Sequence, residues 1–513
     1  MSEKSFSRLK KLLLSLKPQE KSLALKHLSA YDRHSRSGKT KMRNLCKVIL
    51  KDSDIQYARA KQIVSSQTNL RSFNQLISRT FERVMESLLL DVNINRTSSY
   101  SKVFQKKFTL RKKIVESRII SSKGLIKESL EMNNILIKEA KRYELFDELL
   151  ELLYLQQDKT VHLNGFKEYD RFGKEIEKYE KVRNLYQLAR QTLNRYHLKV
   201  NFSASREGDI ELMKTTMLQL QEYAEQSGSA NVKSLAFLIS MEYYAQLKEY
   251  KKNIEVGRQF LNLVKEEITV RTDQRIVYIL GTLIENLILD FNLKGALEYI
   301  KQAERIKLSK QSKNYYKLLE NKVKLSFYVG DYEEINQTID KLDKTALSKN
   351  ELQSTKIFYY KAMRYFAVEE FRQANLLLGN LPVLEKDKEG WNIWIRIMRI
   401  LSSIELLRLE LIDYDIASFK KYMQRTEQKY SLNNRDKTIV DILVSLDYND
   451  FDFAKVKELK SKELSELSEK NGALSWRPLS PEMIIFQDWF ESKLMDKRYK
   501  PNLERFETIK PTK

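Results

Sequence analysis

Gly330-Asp331-Tyr332-Glu333-Glu334-Ile335 and, 39 residues further along, Glu370-Phe371-Arg372-Gln373-Ala374 carry the same marks: a turn, an aromatic anchor, and a small or apolar residue three positions on. The pattern extends in both directions. Helix starts are expected at Ile210, Tyr250, Leu293, Tyr332, Phe371, Tyr414 and Phe453, at intervals of 40, 43, 39, 39, 43 and 39 residues. The residues three positions later are Met213, Asn253, Ala296, Ile335, Ala374, Ala417 and Val456, of which Asn253 fits worst. A helical pattern recurring at such a period is the signature of a solenoid of antiparallel helix pairs, in which each repeat packs only on its neighbours.

Composition agrees with an all-α chain. None of the six prolines falls between Gln19 and Leu381; proline lacks the amide hydrogen and clashes with the preceding helical turn, so long helices exclude it. A lone cysteine, Cys46, allows no internal disulfide, and the four histidines show no pair at metal-ligand spacing. No segment approaches the ~18 apolar residues of a membrane helix. The expected setting is therefore cytoplasmic, with no membrane contact, no metal and no cofactor.

The stretch from about 201 to 460 resembles the tetratricopeptide repeats. In the pair around Phe371, Phe358, Ala362, Tyr365, Ala374, Leu378 and Leu381 fall at that family's large, small, aromatic, small, large and apolar positions. Small residues let paired helices approach, and large ones fill the groove beside them. The family's repeat is about 34 residues, so spacings near 40 imply longer helices or loops. The resemblance implies a right-handed superhelix whose concave face holds an extended peptide or a helix. It transfers no catalytic residue.

Flanking regions read differently. Residues 1–100 form a basic helical module, with helices expected from Pro18, over Lys41–Lys51, near Ile55 to Val64 and from Asn69 to about Asp91. The last carries the stripe Phe73, Leu76, Ile77, Phe81, Val84 and Leu88. Residues 101–200 are irregular helical repeats, with breaks at Gly124 and at Arg142–Phe146 and a connector marked by Gly165 and Gly173. Residues 461–513 are a capping helix beginning at Ser480-Pro481 and an extended tail beyond Lys497. Trp476 and Trp489 belong either to that cap or to an interaction site.

Charge is concentrated at the front. Residues 1–125 hold 28 Lys+Arg against 9 Asp+Glu, so most of the net +23 sits in the first quarter. Such asymmetry fits an anionic partner, a nucleic acid or an acidic protein surface, as well as a merely solvated face. The candidate phosphate contacts are Arg71, Arg79, Arg83, Lys106, Lys107, Arg111, Lys112 and Lys113. Ser37-Gly38-Lys39-Thr40 imitates a phosphate-binding loop, but the glycine required five residues before the Gly-Lys pair is replaced by Arg33. No nucleophile elbow, dinucleotide fingerprint or zinc-protease pattern occurs in the sequence. The reading is a non-enzymatic scaffold holding a protein segment, with a nucleic-acid-binding regulator as the alternative. The letters do not fix the partner or the oligomeric state.

Overall fold

The computed structural model describes residues 2–30, 41–65, 69–90, 102–160, 165–202, 210–306, 310, 312–385, 387, 389–427, 433–470 and 472–503. Among these the chain forms twenty-four α-helices and no strand. It divides into two compact units, Met1–Ile176 and Glu177–Lys513.

The first unit opens with α1 (Ser2–Ser15), α2 (Pro18–Ala30), α3 (Lys41–Lys51), α4 (Tyr57–Ser65) and α5 (Leu70–Leu90). Helix α5 begins where expected, its first turn capped by Asn69, whose Oδ1 accepts from the Ser72 amide at 2.8 Å. Its Phe73, Ile77 and Val84 are fully buried against Leu9, Leu13, Leu28, Leu45 and Ile49. Cys46 lies in this core, and burial pushes its thiol up to about 12, which makes it a packing residue and not a nucleophile. Ser37–Thr40 lies outside the described residues.

Helices α6 (Lys102–Ser122), α7 (Ile126–Arg142) and α8 (Phe146–Thr160) follow and pack consecutively. A buried polar cluster joins them: Ser117 Oγ donates to Asn133 Oδ1 at 2.7 Å, and Lys159 Nζ donates to Ser129 Oγ at 2.9 Å. Helix α9 (Phe166–Phe202) takes in Gly173. That glycine is no connector. A Cβ there would sit 3.3 Å from the Gln157 side chain of α8, so its role is close helix approach.

The second unit alternates two kinds of helix: α10 (Ile210–Ser227), α11 (Ala230–Gln246), α12 (Tyr250–Glu266), α13 (Asp273–Leu289), α14 (Leu293–Glu304), α15 (Lys313–Val329), α16 (Tyr332–Asp343), α17 (Glu351–Ala367), α18 (Phe371–Gly379), α19 (Trp391–Glu405), α20 (Leu409–Glu427), α21 (Asn434–Tyr448), α22 (Phe453–Leu459), α23 (Ser461–Ser468) and α24 (Phe486–Leu494). Neighbours in sequence pack on one another through α22, as a solenoid requires. Six of the seven expected starts coincide with the first residue of a helix: 210, 250, 293, 332, 371 and 453. The residue three positions on is buried in each case, Asn253 included. Its side-chain amide donates to the Met241 carbonyl of α11 at 3.0 Å, so the polar group is partly satisfied where the others are apolar.

The seventh start was misplaced. Helix α20 begins at Leu409, with Ile412 fully buried at the third position, while Tyr414 and Ala417 face solvent. The tight turns explain why. In nine of them a left-handed residue stands two positions before the next helix, and seven of those share one geometry: Gly124, Glu144, Lys248, Phe291, Gly330, Glu369 and Leu407, with φ between 48° and 83°. The following amide closes a six-to-one bond to the helix just ended, as in Leu145 to Ala140 (3.0 Å), Asn292 to Leu287 (2.8 Å) and Arg408 to Ser403 (3.1 Å). Only two of these residues are glycines, so the turn is fixed mainly by packing on either side.

Gly330 tests that statement. A Cβ there meets no atom within 4 Å, leaving backbone strain as the sole effect, and Gly330→Ala is expected to cost about 1 kcal/mol in urea unfolding. Lys248→Gly relieves comparable strain but loosens the unfolded chain, so its stability is expected to stay close to wild type. A Gly330→Ala protein as stable as wild type would contradict the shared-turn account.

Candidate functional site

Residues 474–485 do not form the cap helix expected from Ser480-Pro481. Pro478 and Pro481 have no amide hydrogen to give, Leu479 is left-handed (φ 68°), and helix starts only at Phe486. A buried non-helical backbone needs partners for its polar groups, and the odd-numbered helices supply them. Lys324 Nζ of α15 donates to the Leu479 carbonyl at 2.7 Å, and the Leu479 amide donates to Tyr328 Oη at 3.0 Å. Tyr359 Oη of α17 donates to the Pro481 carbonyl at 2.7 Å. The segment therefore crosses successive odd helices and is read through its main chain.

Arg435 of α21 completes the attachment. Its Nε and one terminal nitrogen donate to the two oxygens of Glu482, at 2.6 and 2.7 Å. The remaining donors reach the carbonyls of Leu467 and Leu474 and the side-chain oxygen of Gln487. Trp476 and Trp489 are both core residues. Trp476 packs edge-on against Tyr328 with its indole donating to the Glu482 carbonyl at 3.0 Å, and the Trp489 indole donates to Glu405 at 2.7 Å. The chain stays ordered past Lys497: Tyr499 Oη accepts from the Ile485 amide at 3.0 Å, and Arg498 pairs with Glu369 at 3.2 Å.

Beside Arg435, Asp436 accepts a hydrogen bond from the Trp394 indole at 3.1 Å. Burial, and then the charge of Glu482, push its carboxyl up to about 7, against the lowering effects of Trp394 and Arg435.

Towards α9, the same helices carry a row of polar side chains that residues 474–485 do not cover. Tyr360 Oη of α17 donates to Glu320 of α15 at 2.7 Å, and Lys356 lies 3.5 Å from the same carboxylate and 4.8 Å above the Trp391 ring. Burial alone would raise the Glu320 carboxyl, but the ammonium groups of Lys324 and Lys356 and the Tyr360 bond outweigh it and hold it below its ordinary value. Glu285 of α13 accepts from Asn321 at 3.2 Å and pairs with Lys317 at 2.8 Å. Glu242 of α11 faces His197 of α9 at 3.5 Å. Glu242, Glu285 and Lys317 are half-buried or exposed, so this part of the row is accessible.

The eight basic candidates in the first unit separate into two groups. Arg83 chelates Glu86 at 2.6 and 2.9 Å, Lys106 pairs with Glu139 at 2.8 Å, and both Lys107 and Arg111 point at the buried Glu148, at 3.5 and 2.6 Å. Arg71 and Arg79 on α5 and Lys112 and Lys113 on α6 are exposed, with no ion pair among the described residues. Of the repeat positions, Ala362, Ala374 and Leu378 are buried and Tyr365 and Leu381 partly so, whereas Phe358 is 40% exposed. The residues that sequence reasoning missed, Lys324, Tyr359 and Arg435, look like ordinary helix letters and are marked only by partners 155, 122 and 47 positions away.

Asp436 gives the site a pH dependence of known sign. Its folded carboxyl binds a proton more tightly than the unfolded one, whose ordinary value is 3.8. Its contribution is thus fully present below about pH 4 and is lost as pH rises through about 7. Asp436→Asn keeps an acceptor for Trp394 and removes the titration. In urea unfolding, wild type is expected to lose stability relative to Asp436→Asn between pH 5 and 8; a constant difference would contradict the assignment.

No family model matches this chain and no curated protein does, so its function is read from the row and the bound segment alone.

Proposed function

We propose that the protein is a non-enzymatic interaction scaffold, built on tetratricopeptide-like repeats, that holds an extended segment of a partner protein across its odd-numbered helices. The observation carrying this reading is the chain's own segment at 474–485, held across α15, α17 and α21 by side chains that bond its main chain. Main-chain recognition of an extended segment supplies affinity without demanding one sequence, and side-chain contacts alongside it supply selectivity. The accessible row through Lys317, Glu285 and Glu242 continues the layer towards α9 and offers the same kinds of group. Selection of random twelve-residue peptides on the intact chain tests the reading. Enriched peptides are expected to lose about tenfold in affinity, about 1.4 kcal/mol, on Lys317→Glu or Glu285→Lys. Peptides indifferent to both substitutions, or no enrichment, would overturn it.

A second reading belongs to the first unit: contact with nucleic-acid phosphates. It is favoured by the four exposed candidates without a carboxylate partner among the described residues, Arg71, Arg79, Lys112 and Lys113. Lys106, Lys107 and Arg111 are engaged within the fold and are weaker contacts on this reading. Anisotropy of labelled duplex DNA and single-stranded RNA over a salt series is expected to show binding that falls steeply with salt as counterions compete. Replacement of the four by alanine should weaken it more than replacement of Lys106 and Lys107. No binding at low salt removes this reading.

A further inference from the structure

Helix α6 is apolar on two faces. Leu110 and Ile114 are buried in the first unit, whereas Phe104, Phe108, Val115 and Ile119 are 39–56% exposed. At about 100° per residue these four fall within a sector of about 60°, and they run for about 22 Å along the helix. The Phe104 and Phe108 rings lie against each other at 4.7 Å. An open cavity of about 320 Å³ adjoins the stripe, lined by Arg111, Ile114 and Val115 of α6 and by Asp147, Glu148 and Glu151 of α8. The two arginines bordering the stripe are drawn to α8, Arg111 to Glu148 at 2.6 Å and Arg118 to Glu151 at 2.8 Å. A helix apolar on both faces is ordinarily covered on both, and a contiguous exposed apolar strip rimmed by polar groups marks an interaction surface.

The charge around the stripe selects among occupants. Helix α6 carries seven lysines and arginines against one acid, Glu116. Lys112, one turn from both Phe108 and Val115, is exposed with no ion pair among the described residues. A second copy set antiparallel on this stripe brings Arg111 and Lys112, at its midpoint, against their own counterparts. Nucleic-acid phosphates pair with the cations but leave the apolar stripe in water. An anionic lipid leaflet meets the α8 carboxylates Asp147 and Glu151 along with the cations. A helix with an apolar face and an acidic flank satisfies both the stripe and Lys112. We propose that the exposed face of α6 receives an amphipathic helix of a partner protein, apolar along one stripe and bearing Asp or Glu beside it. Its apolar side chains cover Phe104, Phe108, Val115 and Ile119, one of them entering the cavity beside Val115, and a carboxylate on its flank pairs with Lys112. The site is independent of the odd-numbered helices and goes beyond both readings above, since it gives the first unit a protein partner of its own.

A display library of eighteen-residue helices, with a leucine face and flanks randomised among Glu, Lys and Gln, is selected on the intact chain. Enrichment of Glu in the flanks is expected. A labelled helix from that pool is expected to bind saturably and to lose at least tenfold in affinity on Ile119→Ser and on Lys112→Glu. Both residues are exposed, so the urea-unfolding midpoints of the variants are expected to match wild type, which separates lost contact from lost fold. Nucleic-acid binding is read separately, because Ile119→Ser leaves every cation in place. No enrichment, flanks without an acidic preference, or binding indifferent to either substitution would overturn the proposal. So would another occupant of the stripe: flotation of the chain with vesicles of phosphatidylcholine and phosphatidylserine in equal parts, or self-association in sedimentation, either one abolished by Ile119→Ser.

Discussion

The arrangement of the second unit depends on one buried guanidinium. Arg435 and Glu482 are almost wholly withdrawn from water, and such a pair is tolerable only when every donor and acceptor is used. All five guanidinium donors have partners, two of them main-chain carbonyls at Leu467 and Leu474 and one the side chain of Gln487. That single group ties α21, the end of α23, the non-helical stretch and the start of α24 together. Removing it leaves the Glu482 carboxylate buried without its counter-charge, which typically costs about 3–5 kcal/mol.

From that attachment follows the division of the odd-numbered layer. Once Glu482 is anchored, Leu479 and Pro481 fall against Lys324, Tyr328 and Tyr359, and Trp476 closes over Tyr328 and Phe291. The stretch between α15 and α21 is therefore filled by the chain itself. The stretch from α9 to α15 keeps Glu242, Glu285 and Lys317 accessible. In the self-bound segment, lysine and tyrosine side chains bond a non-helical main chain that turns at Leu479, and the Arg435–Glu482 pair fixes its position.

The repeats were legible in sequence because packing imposes a local rule: an anchor at the helix start and a small or apolar residue one turn later. That rule located six helix starts to the residue. It failed at Tyr414, where Tyr414/Ala417 and Leu409/Ile412 satisfy it equally well and only the left-handed Leu407 decides between them. The return of residues 474–485 carried no such mark, since its bonds to α15, α17 and α21 span 39 to 155 positions and leave no period. Lysine and arginine, moreover, are too common in this chain for Lys324 or Arg435 to stand out. In the front-end basic run the internal pairings were hidden for the same reason: Lys106 and Arg111 find their acids 33 and 37 residues away. The pairing of His197 with Glu242 was equally invisible.

Hydrogen exchange of the amides from Trp476 to Phe490, measured in the intact chain over a urea series, addresses the central claim most directly. If the non-helical stretch is an integral layer of the array, these amides open only with α15 and α17, at the same free energy and with the same urea dependence. Exchange at a distinctly lower free energy, with α15 and α17 still protected, would show a detachable flap and contradict the account.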